Sequence, residues 1–361
     1  MKVLALNSSP RGAGHSKTEL MLNHLVDGMR DAGADVEVVA LRKKKINDCR
    51  GCYTCWTKTP GQCVQKDDMT LELLPKFLQA DLVVHATPLY IHSMNGIMRR
   101  FMERTLPTIQ PFFEQSGCRT SHPLRQPQPK AVWLSVCGFP EESEFDILSS
   151  FLHYFYDAEG RELVAEIYRP MAEFLVSRMA EGTAEDILAA TREAGQELIR
   201  SGRIAENTMD RIKQPIQDRA TFAIVGDLAW NTCIAEGVTM PQFQEKKMIA
   251  RPDSIETFML IMPYGFNREA AEEKQVVVQF NFSGESQGSC YFIVQKDGVQ
   301  AATGTSANPD LRIESPFDVW MDIMTGKAEG PQMLMEGKYS VEGDLALMIK
   351  LFERQEEPIA A

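Results

Sequence analysis

The stretch MKVLALNSSPRGAGHSKT, residues 1–18, decides the fold of the first part of the chain. Its first six residues form an apolar run that is typical of a buried β-strand. Small and hydroxyl-bearing residues follow, and from Leu20 apolar side chains recur at helical spacing until about Gly33. The stretch therefore predicts a strand, a short loop and the start of a helix.

The loop between this strand and this helix has the chemistry of an anion site. The N–H groups and the dipole of a helix N-terminus attract negative charge. Side chains suited to phosphate are concentrated here, namely Ser8, Ser9, Arg11, Ser16, Lys17 and Thr18. The spacing fits neither the nucleoside-triphosphate motif nor the dinucleotide motif, because Ser16 precedes Lys17 and the third glycine is missing. Such a loop suits a terminal phosphomonoester, as in a flavin mononucleotide (FMN), with an ordinary serine-capped turn as the alternative.

The composition is that of an ordinary globular protein. The 361 residues are 44% hydrophobic and 24% charged, and this length predicts two domains. The formal net charge of −12 argues against nucleic acid as a partner. The sequence has no apolar run long enough for a membrane span and no signal-peptide pattern, so a cytoplasmic protein is expected.

Strands and helices alternate through the first 215 residues. Further strands are predicted at 35–41, 81–87, 131–137 and 163–168, and helices at 68–78, 95–106, 144–156, 171–179 and 184–201. Strands separated by helices indicate right-handed crossovers and a parallel sheet covered on both faces. Five such strands predict an α/β, flavodoxin-like, doubly wound sheet of order 2-1-3-4-5, with ligands at the carboxyl ends of its strands.

The loops after the third and fourth strands are expected to meet the first loop at that edge of the sheet. The third-strand loop, residues 87–96, offers an aromatic ring, backbone amides and an amide side chain, and the fourth-strand loop covers residues 135–139. Singly, Pro88 and Gly138 are ordinary turn residues. Together with the phosphate loop, these loops favour a flat heteroaromatic ring such as a flavin.

Four cysteines are crowded into a short segment before the second helix, namely Cys49, Cys52, Cys55 and Cys63. In a chain of cytosolic type this crowding indicates metal or redox chemistry rather than a disulfide framework. Four thiolates at such spacing ligate an iron–sulfur cluster or a zinc ion. The alternative is a loop that Tyr53 and Trp56 pack without any metal.

The alternation of strands and helices stops near residue 209. Residues 221–236 predict an apolar covering helix, and residues 240–252 predict a linker. After a short helix at 255–262, strands at 275–283, 290–295, 299–304 and 311–314 precede helices at 316–324 and 343–352, which indicates an α+β domain. The predicted domains are residues 1–215, a helical linker at 216–250 and residues 251–361.

Residues 1 to about 215 resemble the NAD(P)H-dependent FMN reductase and iron–sulfur flavoprotein branch of the flavodoxin-like superfamily. The segments that carry the resemblance are LNSSPRGAGHSKTEL (6–20), INDCRGCYTCWTKTPGQCVQKDDM (46–69), ADLVVHATPLYIHSMNGIMRRFMER (80–104) and WLSVCGF (133–139). The resemblance implies that the first loop binds the FMN phosphate. It implies that the isoalloxazine ring is surrounded by Pro88, Leu89, Tyr90, Asn95, Cys137 and Gly138. It also implies a [4Fe–4S] cluster on the four cysteines and a homo-oligomer. Since the sequence has no second nucleotide-binding motif, NAD(P)H is expected to bind only transiently.

Residues 251–352 resemble a lipid-binding domain of the sterol carrier protein type. The matching segments are RPDSIETFMLIMPYGFNREAA (251–271), VVVQFNFSGESQGSCYFIV (276–294), NPDLRIESPFDVWMDIMTG (308–326) and MEGKYSVEGDLALMIKLF (335–352). The resemblance implies an apolar tunnel for acyl chains or sterols, to which adaptable methionine side chains are suited. The candidate lining residues are Phe317, Trp320, Met321, Met324, Met333, Met335, Leu345, Met348 and Leu351, with plain core packing as the alternative.

These features predict an FMN-dependent NAD(P)H oxidoreductase that passes electrons to an unidentified acceptor. The C-terminal domain would supply an apolar acceptor, such as a quinone or an enoyl lipid. One alternative is an iron–sulfur flavoprotein that carries single electrons between proteins. The other is a lipid-binding or lipid-sensing protein whose flavin domain is mainly structural. The sequence identifies no catalytic acid or base, since Tyr90 and His92 are candidates by position only.

Overall fold

The computed structural model describes residues 1–12, 14–116, 119–272 and 274–353, so the end of the predicted domain 251–361 lies outside the described residues. The chain divides into two compact units, the first from Met1 to Ile216 and the second beginning at Gln217. Among the described residues, no helix is both long enough and apolar enough to span a membrane.

A parallel sheet forms the centre of the first unit. The strands of this unit are β1 (Lys2–Asn7), β2 (Asp35–Ala40), β3 (Leu82–Tyr90), β4 (Ser93–Met94), β5 (Glu114–Ser116), β6 (Arg119–Ser121), β7 (Lys130–Val136) and β8 (Leu163–Arg169). The sheet order β2-β1-β3-β7-β8 is parallel throughout, which confirms the predicted 2-1-3-4-5 order. The short β4 folds back on the end of β3, and β5 and β6 pair with each other as a separate antiparallel sheet.

The helices of this unit are α1 (Lys17–Asp31), α2 (Leu74–Gln79), α3 (Gly96–Glu103), α4 (Asp146–Tyr156), α5 (Thr183–Ser201) and α6 (Glu206–Lys213). All but α6 lie in segments for which the sequence predicts a helix. Two predictions need correction. The helix predicted at 68–78 begins with a π-helical turn over Met69–Leu73. The helix predicted at 171–179 consists of two 3-10 turns, Ala172–Val176 and Arg178–Ala180, because Met171 has a left-handed backbone and Ser177 is extended.

The central strands are buried on both faces, as expected for a sheet covered by helices on each side. In β1, Val3, Leu4, Ala5 and Leu6 are all buried. Leu4 and Leu6 belong to one core cluster that includes Phe101 of α3. Since the sheet is inaccessible from both faces, its edge is where a ligand can approach the carboxyl ends of the strands.

Two glycines bring the backbones of α1 and α5 into direct contact. A Cβ atom placed on Gly28 of α1 would lie 1.8 Å from the carbonyl oxygen of Arg192. A Cβ atom on Gly195 of α5 would lie 2.1 Å from the carbonyl oxygen of Leu25. Only glycine fits at either position, and the close contact fixes α1, whose N-terminus follows the first loop.

The second unit is an α+β domain, as the sequence predicts. Its strands are β9 (Val276–Ser283), β10 (Gly288–Gln295), β11 (Gly298–Thr303), β12 (Leu311–Pro316) and β13 (Ser340–Gly343), in the order β11-β10-β9-β12-β13. Neighbouring strands are antiparallel except β9 and β12. The helices are α7 (Arg219–Glu236), α8 (Met240–Glu245), α9 (Ile255–Ile261), α10 (Phe317–Thr325), α11 (Gly330–Met335) and α12 (Leu345–Phe352). The sequence did not predict α8, α11 or β13, which are each six residues or shorter.

Candidate functional site

The loops after β1 and β3 are joined by hydrogen bonds at the carboxyl edge of the sheet. Ser8 donates to the carbonyl oxygen of Ala86 from its backbone N–H at 2.9 Å and from its Oγ at 3.0 Å. Asn95 Nδ2 donates to the carbonyl oxygen of Ser8 at 2.6 Å, and Asn95 Oδ1 accepts the N–H of Met98 at the start of α3. One asparagine therefore caps α3 and fixes the first loop against the third-strand loop.

The hydroxyl groups of the first loop form a connected set at the N-terminus of α1. Ser16 is the N-cap, because its Oγ accepts the N–H of Glu19 at 3.0 Å. The same hydroxyl donates to Ser9 Oγ at 2.7 Å, and Ser9 Oγ accepts the N–H of Arg11 at 3.3 Å. Ser9 is held in turn by Asn7, whose Oδ1 accepts the Ser9 N–H at 2.9 Å. The N–H groups in the first turn of α1 point towards this loop, so the arrangement suits a phosphate.

Two cations of this loop share one carboxylate. Arg11 Nη1 lies 2.6 Å from Glu173 Oε1, and Lys17 Nζ lies 3.8 Å from Glu173 Oε2. Lys17 is buried, which lowers the pKa of its ammonium; Glu173 opposes this shift and the charge of Arg11 adds to it. We name Ser8, Ser9, Arg11, Ser16, Lys17 and Thr18 the phosphate cradle, after the phosphate that the sequence predicts them to bind. The sequence did not predict Glu173 as part of this site, since it lies 162 positions beyond Arg11.

The third-strand loop begins with a tight turn at the end of β3. This strand runs to Tyr90, three residues beyond its predicted end, and Ile91 and His92 then form the turn to β4. Both turn residues have a left-handed backbone, with φ of 50° and 55°, which is strained for the β-branched Ile91. Pro88 is buried, Leu89 is half-buried and Tyr90 is exposed, so this loop presents an aromatic ring to solvent. His92 Nδ1 lies 3.1 Å from a carboxylate oxygen of Glu144.

The fourth-strand loop is tied to the segment that carries Glu173. Ala172 N–H donates to the carbonyl oxygen of Cys137 at 2.9 Å, and Met171 N–H donates to that of Phe139 at 2.8 Å. The three loops therefore converge at one edge of the sheet. Burial raises the pKa of the Cys137 thiol to about 12, so this thiol stays protonated at neutral pH and is a poor nucleophile. Gly138 is exposed beside it.

The four crowded cysteines line one recess, together with Arg104. Cys55 is buried, Cys49 and Cys63 are half-buried and Cys52 is exposed. Burial raises the pKa of the Cys55 thiol, and the neighbouring Cys63 raises it further. Within the described ranges, no three His, Cys, Asp or Glu side chains are arranged as a metal-ion site. All four cysteines nevertheless border the same recess, as a shared site for the predicted iron–sulfur cluster requires.

A buried ion pair supports this recess. Arg104 is 2% exposed, and its Nη1 and Nη2 donate to the two carboxylate oxygens of Asp67 at 2.7 and 3.0 Å. Arg104 also donates to the carbonyl oxygen of Asn47 at 2.8 Å, and its Nη2 lies 3.5 Å from Cys63 Sγ. Burial alone would raise the pKa of Asp67, but hydrogen bonds from Arg104 and from the N–H groups of Asn47 and Thr70 outweigh it and lower this pKa to about 2. The pair was not predicted from the sequence.

The candidate lipid-tunnel residues separate into two groups. Phe317, Trp320, Met321 and Leu351 are buried in the core of the second unit, and Met324, Met333 and Met348 pack against that core. Met335 is 83% exposed and Leu345 is 48% exposed, so the structure places these two side chains on the surface. Met333 and the adjacent Leu334 face the core from the short helix α11, which turns Met335 outward.

Two family models match separate parts of the chain. Residues 1–117 match the family described as NADPH-dependent FMN reductase, and residues 267–354 match the SCP-2 sterol transfer family. An iron–sulfur flavoprotein of Archaeoglobus fulgidus is 38% identical over 107 residues, which are 30% of this chain and 46% of that protein. An iron–sulfur flavoprotein of Methanocaldococcus jannaschii is 31% identical over 107 residues, 30% of this chain and 53% of that protein. The chain thus spans about half the length of these relatives.

Two further matches are weaker. Hydroxysteroid dehydrogenase-like protein 2 of Homo sapiens is 25% identical over 117 residues, 31% of this chain and 28% of that protein. The solved structure of an azoreductase from Bacillus anthracis has a TM-score of 0.40 and 16% identity, covering 55% of this chain and 98% of that chain. The matches confirm the resemblance inferred from the sequence: a segment similar to NADPH-dependent FMN reductases and iron–sulfur flavoproteins is fused to one similar to the SCP-2 sterol transfer family.

Proposed function

We propose that the chain is an FMN-dependent NAD(P)H oxidoreductase. The observation that carries this proposal is the phosphate cradle, in which linked hydroxyl groups and two cations surround the N-terminus of α1. The cradle lies at the carboxyl edge of a doubly wound parallel sheet, where such folds bind ligands. The match of residues 1–117 to the NADPH-dependent FMN reductase family supports the same cofactor. When bound, FMN supplies hydride acceptance from NAD(P)H and electron transfer in pairs or singly.

The side chains of the chain would bind and orient this cofactor. Arg11 and Lys17 supply positive charge for the phosphate, and the first turn of α1 supplies N–H donors. The backbone of the loops after β3 and β7 would border the ring, with Asn95 fixing the spacing between the first of these loops and the cradle. The exposed ring of Tyr90 would offer a stacking surface.

Removal of the Arg11 guanidinium tests the cradle directly. Arg11→Ala is expected to weaken FMN binding about tenfold, because a charge-assisted hydrogen bond to phosphate is lost at a partly exposed site. The measurement is a titration of flavin fluorescence with purified protein. Arg30→Ala is the matched control, since Arg30 is an exposed cation in the last turn of the same helix. Equal affinity of the Arg11→Ala protein and the wild type would contradict the assigned cradle.

We propose that the acceptor is an apolar molecule, such as a quinone, bound by the C-terminal domain. The match of residues 267–354 to the SCP-2 sterol transfer family supports an apolar ligand there. Saturating fatty acid is then expected to slow reduction of a hydrophobic quinone by the full-length protein while leaving ferricyanide reduction unchanged. Equal rates of quinone reduction with and without fatty acid would contradict the proposal that the C-terminal domain binds the acceptor.

A single-electron carrier is the second candidate, and the cysteine recess favours it. All four thiols border one recess, and the relatives from Archaeoglobus fulgidus and Methanocaldococcus jannaschii are iron–sulfur flavoproteins. A [4Fe–4S] cluster held by Cys49, Cys52, Cys55 and Cys63 would supply single-electron transfer.

Metal analysis after anaerobic purification tests this candidate. The protein is expected to contain about four iron and four acid-labile sulfide atoms per chain. Cys55→Ser is expected to remove most of both, because Cys55 is the buried thiol of the recess. Cys233→Ser, which changes a buried thiol of the second unit, serves as the control and should retain both. Absence of iron and sulfide from the wild type would leave the two-electron reductase as the remaining proposal.

A further inference from the structure

We infer that Glu173 competes with the bound phosphate for the cations of the cradle and thereby limits the affinity of the protein for FMN. This inference rests on the proposed FMN-binding function and assigns an affinity-determining residue to its site. Arg11 and Lys17 are the two cationic side chains of the cradle, and both lie within 4 Å of the same carboxylate. A phosphate that uses these cations must share them with Glu173.

The backbone holds Glu173 in this position. Glu173 lies in the 3-10 turn Ala172–Val176, directly after Met171, which is buried and has a left-handed φ of 50°. The backbone N–H groups of Met171 and Ala172 donate to carbonyl oxygens of Phe139 and Cys137 in the fourth-strand loop. Since these hydrogen bonds fix the start of the turn, the backbone places the 35% exposed side chain of Glu173 beside the cradle.

The charges decide the sign of the effect. A phosphomonoester carries a charge of about −1.5 to −2 at neutral pH. The two cations and one carboxylate give the cradle a net charge of +1, whereas the cations alone would give +2. A phosphate that used both cations would lie near the carboxylate that they share, and because like charges repel, this carboxylate opposes phosphate binding.

The alternative role for Glu173 is to orient Arg11. In that role the carboxylate would favour FMN binding instead of opposing it. A carboxylate that accepts from Arg11 Nη1 at 2.6 Å restrains the guanidinium, which would favour binding. A guanidinium has five N–H donors, so contact with Glu173 leaves other donors for a phosphate. Glutamine keeps a hydrogen-bond acceptor for Arg11 but removes the negative charge. Glu173→Gln therefore separates the two roles.

Titrations with FMN and with riboflavin provide the test, since riboflavin has the same ring system without the phosphate. Glu173→Gln is expected to lower the Kd for FMN about tenfold, from the removal of one nearby negative charge. The Kd for riboflavin should change less than about twofold, because the ring lies outside the cradle, and high salt should reduce the FMN effect. Glu162→Gln is the matched control: Glu162 pairs with Lys130 at 2.8 Å, beside the amino ends of β7 and β8, and its loss should leave both Kd values unchanged.

Two results would overturn the inference. One is a Kd of Glu173→Gln for FMN that is equal to or higher than the Kd of the wild type. The other is an equal tightening for riboflavin and FMN, which would exclude an effect on phosphate. Glu173→Ala adds a second variant: it should also tighten FMN binding, and weaker binding would assign Glu173 the orienting role instead. If neither wild type nor variant binds FMN, the proposed function fails and the inference fails with it, whereas equal FMN binding by both rejects only the inference.

Discussion

Arg104→Met is expected to lower the free energy of unfolding by about 3–5 kcal/mol, the usual loss when one partner of a buried ion pair is removed. Methionine replaces much of the side-chain volume, but it leaves the carboxylate of Asp67 buried without its cation. The fully buried Asp67 and the 2% exposed Arg104 give this pair little access to water. Urea unfolding followed by circular dichroism measures the loss.

Two further measurements distinguish the loss of the ion pair from other effects of replacing an arginine with methionine. Arg99→Met removes an exposed cation from α3, the helix whose C-cap is Arg104, and its effect on the free energy of unfolding should stay within about 1 kcal/mol. The pKa of Asp67 is about 2 in the folded protein and about 3.9 in an unfolded chain. The stability that this lowered pKa contributes is therefore complete above about pH 4 and is lost as the pH falls towards 2. The difference in the free energy of unfolding between the wild type and Arg104→Met should narrow over that range. A loss below about 1 kcal/mol for Arg104→Met would contradict the assigned role of the pair.

Gly195→Ala is expected to destabilise the protein by about 3 kcal/mol, because the added methyl group overlaps backbone atoms that have no room to move. The new carbon would lie 2.1 Å from the carbonyl oxygen of Leu25 and 2.9 Å from the backbone nitrogen of Met29. Alanine is otherwise a better helix former than glycine, so this substitution would ordinarily stabilise a helix. Because of the clash, the substitution is expected to lower the stability instead. A separation of α1 from α5 would also disturb the cradle at the start of α1.

Gly226→Ala supplies the control for this prediction. Gly226 lies within α7, and a Cβ atom there meets no atom within 4 Å. Alanine at this position should stabilise the protein by about 0.5–1 kcal/mol, from helix propensity alone. The comparison uses thermal or urea unfolding of both variants. Similar stabilities for Gly195→Ala and Gly226→Ala would show that α1 and α5 do not approach as closely as described.

The strand order could be predicted because the signal for it is local. Each central strand is a short apolar run bounded by turn residues, and helical periodicity between the runs implies parallel crossovers. The N-cap of α1 is also a local signal, because Ser16 directly precedes the helix whose N–H group it accepts. Asn95 was named only because the family resemblance implies a position near the ring, and the structure shows it as the N-cap of α3.

The groups that the sequence did not reveal come from distant parts of the chain. Glu173 reaches Arg11 across 162 positions, and Arg104 reaches Asp67 across 37, and neither spacing has a sequence signature. The segment at 171–179 has helical periodicity, but the left-handed Met171 and its hydrogen bonds to the fourth-strand loop impose 3-10 turns. Short elements such as α11 carry too few residues for periodicity to show which side is buried, and so Met335 was assigned to the tunnel.

Comparison of FMN with riboflavin in the wild-type protein tests the central claim most directly. The cradle binds the terminal phosphate in this account, so FMN should bind at least about tenfold more tightly than riboflavin. Anaerobic addition of NAD(P)H to the FMN complex should then bleach its visible absorbance. Equal affinity for the two flavins, or a bound flavin that keeps its colour with both nicotinamides, would contradict the account.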